Sequence, residues 1–117
     1  MLTLSQADAI VAAARARATL IGIAVNIAVL DAGGHLRAFA RMDGAVLGSI
    51  DLALRKARTA VLFECGSEAV WGYCRPGAPA PALELSNGGL APFPGGLPLR
   101  DARGALLGAV GVSGGEV

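Results

Sequence analysis

The chain carries a single lysine, Lys56, and a single histidine, His35, so the chemistry of a side-chain amine or an imidazole has one place each to occur. Projected at about 100° per residue along a helix from Ser49, Lys56 falls away from Asp51, Arg55 and Arg58, a solvated trio with an i,i+4 pair. It lies beside Ser49, Ala53, Ala60 and Phe63, on the edge of the apolar face. An amine placed there holds a carboxylate or propionate, works as an amine of depressed pKa, or snorkels from the rim of a core. Asp43, in the Asp43-Gly44 pair before that helix, is either a plain turn residue or the carboxylate partner of Lys56. His35 follows Gly34 at the start of a strand. That is the ordinary place for an exposed turn histidine, and also one from which an imidazole can ligate haem iron or act as a general base.

Three glycine pairs accompany these groups: Asn87-Gly88-Gly89 and Pro94-Gly95-Gly96 in one loop, and Ser113-Gly114-Gly115 after the last strand. Glycine pairs either make turns or let backbone approach a ligand and present amides to anionic groups. None fits GxGxxG or GxxxxGK[ST], which disfavours nucleotide phosphates. Cys65 and Cys74 match neither a CxxC redox pair nor zinc spacing, and read as reduced thiols in the core or at a helix end, although a cysteine can ligate haem iron. One histidine excludes a multi-histidine metal centre within the subunit, and no Ser-His-Asp arrangement supports a nucleophilic triad. Trp71 and Phe93 read as packing rather than as a cofactor wall.

The elements that must position these residues follow from composition and periodicity. In 117 residues, 54% hydrophobic with 17 glycines, there is room for one domain of closely packed elements. A formal charge of +1 provides no electrostatic footprint for nucleic acid or an anionic membrane. The most apolar uncharged run, Ala18 to Leu30, is broken by Gly22 and Asn26 and falls short of the ~20 residues a membrane span needs. With no basic leader or apolar h-region after Met1, a cytoplasmic protein is expected. Thr3 and Gln6 form a capping box for an amphipathic helix from about 4 to 20, which Gly22 ends. From Ile23 to Leu30, bulky Ile23, Val25, Ile27 and Val29 alternate with Ala24, Asn26 and Ala28, a strand with one bulky and one small face. Asp31-Ala32-Gly33-Gly34 turns it into a second strand, His35 to Met42, as a hairpin. Ser49 is expected to cap a second helix reaching about Glu64, and Ser67 a short one carrying Val70 and Trp71. All six prolines lie between Arg75 and Leu99, which reads as an ordered loop with one short helix near Leu83. A second hairpin, Leu97 to Arg100 with Ala105 to Val112, closes the chain. The order helix, strand, strand, helix, short helix, loop, strand, strand predicts an α+β layer domain with helices covering an antiparallel sheet.

Five ordered runs carry a wider resemblance: Ala28-Val29-Leu30-Asp31-Ala32-Gly33-Gly34-His35-Leu36, Phe39-Ala40-Arg41-Met42-Asp43-Gly44, Ser86-Asn87-Gly88-Gly89-Leu90, Pro94-Gly95-Gly96-Leu97-Pro98-Leu99 and Gly108-Ala109-Val110-Gly111-Val112-Ser113-Gly114-Gly115. With Lys56-Ala57-Arg58-Thr59-Ala60 between them, the sequence resembles the GlcG/HbpS family, which includes the C-terminal domain of PduO-type proteins. The resemblance implies a profilin-like three-layer fold and a homo-oligomer. It implies association with haem binding, with glycolate or diol utilisation, or with aromatic degradation. Carried over by position, it marks Met42, Asp43, Lys56, Asn87, Gly88, Gly95, Gly96, Ser113 and Gly114 as the lining of one pocket between the second helix, the long loop and the sheet. Members usually continue past the Ser113-Gly114-Gly115 motif into a helix that packs on the sheet, whereas this sequence stops at Val117. The expectation is therefore a single domain, 1–117, without that helix and with apolar sheet surface left open to a partner subunit.

Three functional readings follow. In the first, the domain binds a small anionic metabolite or a haem-like tetrapyrrole, with Lys56 on a carboxylate and amides near Asn87, Gly95 and Ser113 on its oxygens. In the second, Asp43 and Lys56 are an acid/base pair for a lyase, isomerase or hydrolase step on a small organic acid. In the third, the domain is a ligand-free assembly or regulatory module. No metal site is expected beyond His35 as a haem ligand, and haem is the cofactor in view.

Overall fold

The computed structural model describes residues 1–115. Helix α1 (Leu4–Ile21) starts on the predicted capping box: the Gln6 amide donates to Thr3 Oγ1 at 3.1 Å and the Thr3 amide to Gln6 Oε1 at 2.9 Å. It ends where Gly22 takes the left-handed conformation, which a residue without Cβ adopts at no steric cost. Strands β1 (Asn26–Asp31) and β2 (Leu36–Arg41) form the first hairpin, and β3 (Gly96–Arg100) and β4 (Leu106–Ser113) the second. The sheet order is β2-β1-β4-β3, antiparallel throughout, so the two hairpins meet along their inner strands β1 and β4.

Helix α2 (Ser49–Phe63) crosses β4, β1 and β3 on one face, while α1 covers β2 and β1 on the other. The predicted alternation decides which side chain meets which helix. Val25, Ile27 and Val29 pack with Ala7, Val11, Ala14 and Ala18 of α1, together with Val110 and Val112. Leu30 and Ala109 face Ala57, Ala60 and Val61 of α2. The α2 interface is made of small residues. A Cβ at Gly111 would overlap the Ala53 carbonyl oxygen and stand 2.7 Å from the Ala57 amide nitrogen, so the bare backbone is what allows the helix to seat this closely.

Between α2 and β3 the chain makes a 3-10 turn (Ser67–Val70), a single-turn helix α3 (Trp71–Cys74) and a second 3-10 turn (Leu83–Leu85) inside the proline-rich segment. Three local expectations are corrected. The first strand begins at Asn26 rather than Ile23, because the Ile23 amide is still bonded to Ala18 O as part of the α1 terminus. Ser49 is the first helical residue rather than the cap, which is Gly48. Ser67 likewise lies inside its turn after Gly66. Both hydroxyls serve the tertiary structure instead. Leu97 on β3 is 57% exposed.

Candidate functional site

A buried polar layer lies between the start of α2 and the ends of β1 and β4. Asn26 and Ser113 are directly paired across β1 and β4, so their side chains share the face turned to α2. Ser49 and Lys56 are seven residues apart on α2, two helical turns, and therefore stand on one stripe. Asn26 Nδ2 donates to Ser49 Oγ at 2.6 Å, and Ser49 Oγ donates to Val46 O. Lys56 Nζ donates to Ser113 Oγ at 3.1 Å and to Val112 O at 3.3 Å. All four side chains are buried, and Asn26 Oδ1 has no hydrogen-bond partner among the described residues.

Lys56 is only 5% exposed, deeper than the rim position its helical projection suggests. Two backbone approaches hold it there. Gly96 crosses α2 at the Lys56 carbonyl, with no room for a Cβ between them, and Gly95 lies over the side chain, where a Cβ would stand 3.0 Å from Lys56 Cδ and 3.1 Å from Nζ. Among the described residues the amine makes no ion pair, and burial pushes its pKa below the ordinary 10.5, because removing water disfavours the charged form. A cavity of about 240 Å3 opens beside it, walled by Ile23, Val25, Pro94, Gly95, Val112 and Ser113. Its apolar walls and convergent donors suit a small molecule with one polar end.

Of the positions expected in one pocket, the structure brings together Lys56, Gly95, Gly96, Ser113 and Gly114. A Cβ at Gly114 would be 3.5 Å from Ser49 Oγ. It does not bring in the others. Met42 packs with Ala18, Val25 and Ile27 on the α1 face of the sheet. Asp43 is exposed in the turn after β2 and makes no ion pair with Lys56, so the acid/base pair is not assembled. Asn87 and Gly88 lie over the outer side of α2. There Arg58 donates to Asn87 O, and Arg55 Nη1 donates to Gly88 O at 2.9 Å and Gly89 O at 3.1 Å. This glycine pair is latched by arginines rather than presented to a ligand.

The pattern reading did not single out Asn26, Ser49 or Ser67 as site residues. Ser67 Oγ accepts from the Gly96 amide at 2.9 Å and donates to Phe93 O, fixing the segment that carries Gly95. The available signal for Asn26 was a polar amide inside an otherwise apolar strand. Ser49 and Ser67 resemble caps locally and carry no separate signal.

The haem-donor candidates of the sequence are His35, Cys65 and Cys74. His35 is 82% exposed; its Nδ1 stands 3.4 Å from Asp31 Oδ1. Asp31 is held below its usual pKa chiefly by the His35 backbone N–H. The imidazole fronts a cavity of about 330 Å3 lined by Leu2, Ala32, Gly33, Leu106 and Leu107. A carboxylate on one ring nitrogen leaves the other free to ligate, which is how a metal-binding histidine is oriented. Cys74 is buried and Cys65 half-buried. Desolvation, with Glu84 beside Cys74 and Glu68 beside Cys65, raises both thiol pKa values, which opposes thiolate ligation. The Lys56 cavity is lined by no histidine, cysteine or methionine. Of His35, Cys65 and Cys74, His35 fits a haem iron, and the Lys56 cavity holds none of them.

A four-stranded antiparallel sheet between two helices, with paired hairpins and a buried amine under one helix, defines a three-layer α+β domain of the profilin-like kind. The chain belongs to the HbpS-like family: the family model described as "Haem degrading protein HbpS-like" matches residues 2–117. It is 38% identical over 117 residues to a 15.0 kDa protein of the dhaT-dhaS intergenic region of Citrobacter freundii, covering 99% of this chain and 82% of that protein. Klebsiella pneumoniae protein ORFY superposes with a TM-score of 0.93 at 37% identity, over 97% of this chain and 79% of that one. The PduOC:haem complex superposes with a TM-score of 0.86 at 35% identity, over 92% and 78%. No helix among the described residues is long and apolar enough to cross a membrane.

Proposed function

We propose that this domain binds a small organic anion in the cavity beside Lys56. The observation that supports this most directly is a lysine buried to 5% exposure with no carboxylate partner among the described residues, facing a cavity of about 240 Å3. A buried amine without a counter-ion among the residues around it favours a negative group that enters the cavity. An entering carboxylate supplies it, and its charge draws a proton back onto the nitrogen. Ile23, Val25 and Pro94 would hold the apolar part of such a ligand. Titration calorimetry with propionate as the probe should show saturable binding that is lost in Lys56→Ala. Binding of equal strength in the variant would overturn the assignment.

A second reading is supported by the Asp31-His35 pair and by the PduOC:haem complex among the related structures. A haem-like tetrapyrrole would be held at the hairpin end, with His35 as axial donor and Leu2, Leu106 and Leu107 against the ring. Haem would supply an iron centre there, and Asp31 would keep the imidazole oriented. A saturable Soret change on adding hemin, absent in His35→Ala, is the expected result. A change that persists in the variant would remove His35 from this role.

A further inference from the structure

We propose that Lys56 is also a carbonyl-capture site: its amine, at the foot of the cavity between α2 and the β4 terminus and bonded among the described residues to Val112 O and Ser113 Oγ, condenses reversibly with a small aldehyde or 2-oxo acid to form an imine. The inference rests on the reading that this cavity admits a small molecule, and adds the chemical class that the amine can hold covalently.

The hydrogen-bond partners accommodate the nucleophilic form. An ammonium carries three donors and no lone pair, whereas a neutral amine has two N–H groups and a lone pair. Among the described residues Lys56 Nζ has two oxygen acceptors, at 3.1 and 3.3 Å, a set that the two N–H groups of the neutral amine satisfy with its lone pair left toward the cavity. Space is kept at the nitrogen by Gly95, where any Cβ would lie 3.1 Å from Nζ and 2.5 Å from Val112 O. The missing counter-ion and the desolvation that lowers the Lys56 pKa act in the same direction. These are the conditions under which a lysine becomes a nucleophile toward carbonyl carbon.

The step balances without an oxidant or reductant. The nitrogen lone pair forms a C–N bond to the carbonyl carbon while the C=O π pair moves to oxygen, which takes up a proton as the nitrogen loses one. The Ser113 hydroxyl, 3.1 Å from Nζ, is placed to pass that proton. The nitrogen pair then closes the C=N bond as the carbinolamine C–O bond breaks, and the departing hydroxyl takes the remaining N–H proton and leaves as water. Hydrolysis reverses each step. The apolar walls Ile23, Val25 and Pro94 limit the water that favours reversal.

With a single lysine in the sequence, the test reads one site. The folded chain is incubated with propionaldehyde and cyanoborohydride at neutral pH, and the propylated amines are located by peptide mass; the Met1 α-amine is the internal reference. We expect one propyl group at Lys56, formed faster than in the urea-unfolded chain, since burial lowers the titration of the amine and raises its neutral fraction. Labelling of Met1 alone in the folded chain, or equal Lys56 rates folded and unfolded, overturns the proposal. Propionate calorimetry on the same preparation separates the two readings. Propionate binding without propylation leaves the anion site and removes carbonyl capture, whereas failure of both removes both. Propylation in Ser113→Ala at the wild-type rate removes the proton-passing role of Ser113.

Discussion

The closeness of α2 to the sheet is the feature on which the Lys56 site depends, and Gly111→Ala perturbs it with one carbon. The added Cβ would overlap Ala53 O and lie 2.7 Å from Ala57 N and 3.0 Å from Ala57 Cβ. Two of these three atoms are backbone of the middle of α2, so no rotamer change relieves the clash and the helix itself must move outward. Overpacking of a well-filled core costs about 1–3 kcal/mol. A site where backbone meets backbone belongs in the upper part of that range, about 2–3 kcal/mol. For a domain of this size that is a fall in Tm of roughly 8–15 °C. Gly72→Ala is the matched control. Gly72 lies in the short helix α3, is exposed, and has nothing within 4 Å of a built Cβ. There alanine should stabilise by about 0.4–1 kcal/mol through the unfolded chain. Thermal and urea unfolding followed by circular dichroism should show the two substitutions moving in opposite directions. Because Lys56 lies between Ala53 and Ala57 in sequence, Gly111→Ala should also weaken propionate binding. A Gly111→Ala midpoint within about 2 °C of wild type would refute the close-seating argument.

Three further outcomes follow. Lys56 binds fewer protons folded than unfolded between its lowered pKa and 10.5, so wild-type stability should rise with pH across that window relative to Lys56→Met; urea midpoints for both proteins at neutral and alkaline pH test this, and parallel curves would contradict it. Ser67→Ala leaves the Gly96 amide and the Phe93 carbonyl without their shared partner, which should cost about 1–3 kcal/mol and speed hydrogen exchange at the Gly96 amide; unchanged exchange would count against the anchoring role. Replacing Arg55 and Arg58 by alanine frees the carbonyls of Asn87, Gly88 and Gly89, so limited proteolysis between residues 86 and 90 should accelerate with little change in Tm, and equal cleavage rates would show that the latch is not needed.

Features carried by local chemistry were legible in the amino-acid sequence. The Thr3-Gln6 capping box, the Gly22 terminus, the alternation of β1, the two hairpins and the α2 register all depend on neighbours a few residues apart, and each appears where those neighbours imply. The spacing of Lys56 also separated it correctly from the arginines on the outer side of α2. What local chemistry left open was partnership across the fold. Ser49 and Ser67 look like helix caps, yet their hydroxyls bond Asn26 and the Phe93-Gly96 segment, residues brought close only when the sheet closes. Asp43 and Asn87 look like members of the pocket, yet a turn carries one into solvent and two arginines draw the other to the far side of α2. Sequence alone determined the order of helices and strands and the amphipathic pattern within them, because those follow from periods of 3.6 and 2 along one chain. The tertiary structure decided that Lys56 is buried without a counter-ion beside a cavity, because that depends on how closely two glycine-bearing strands and a helix, distant in sequence, can approach.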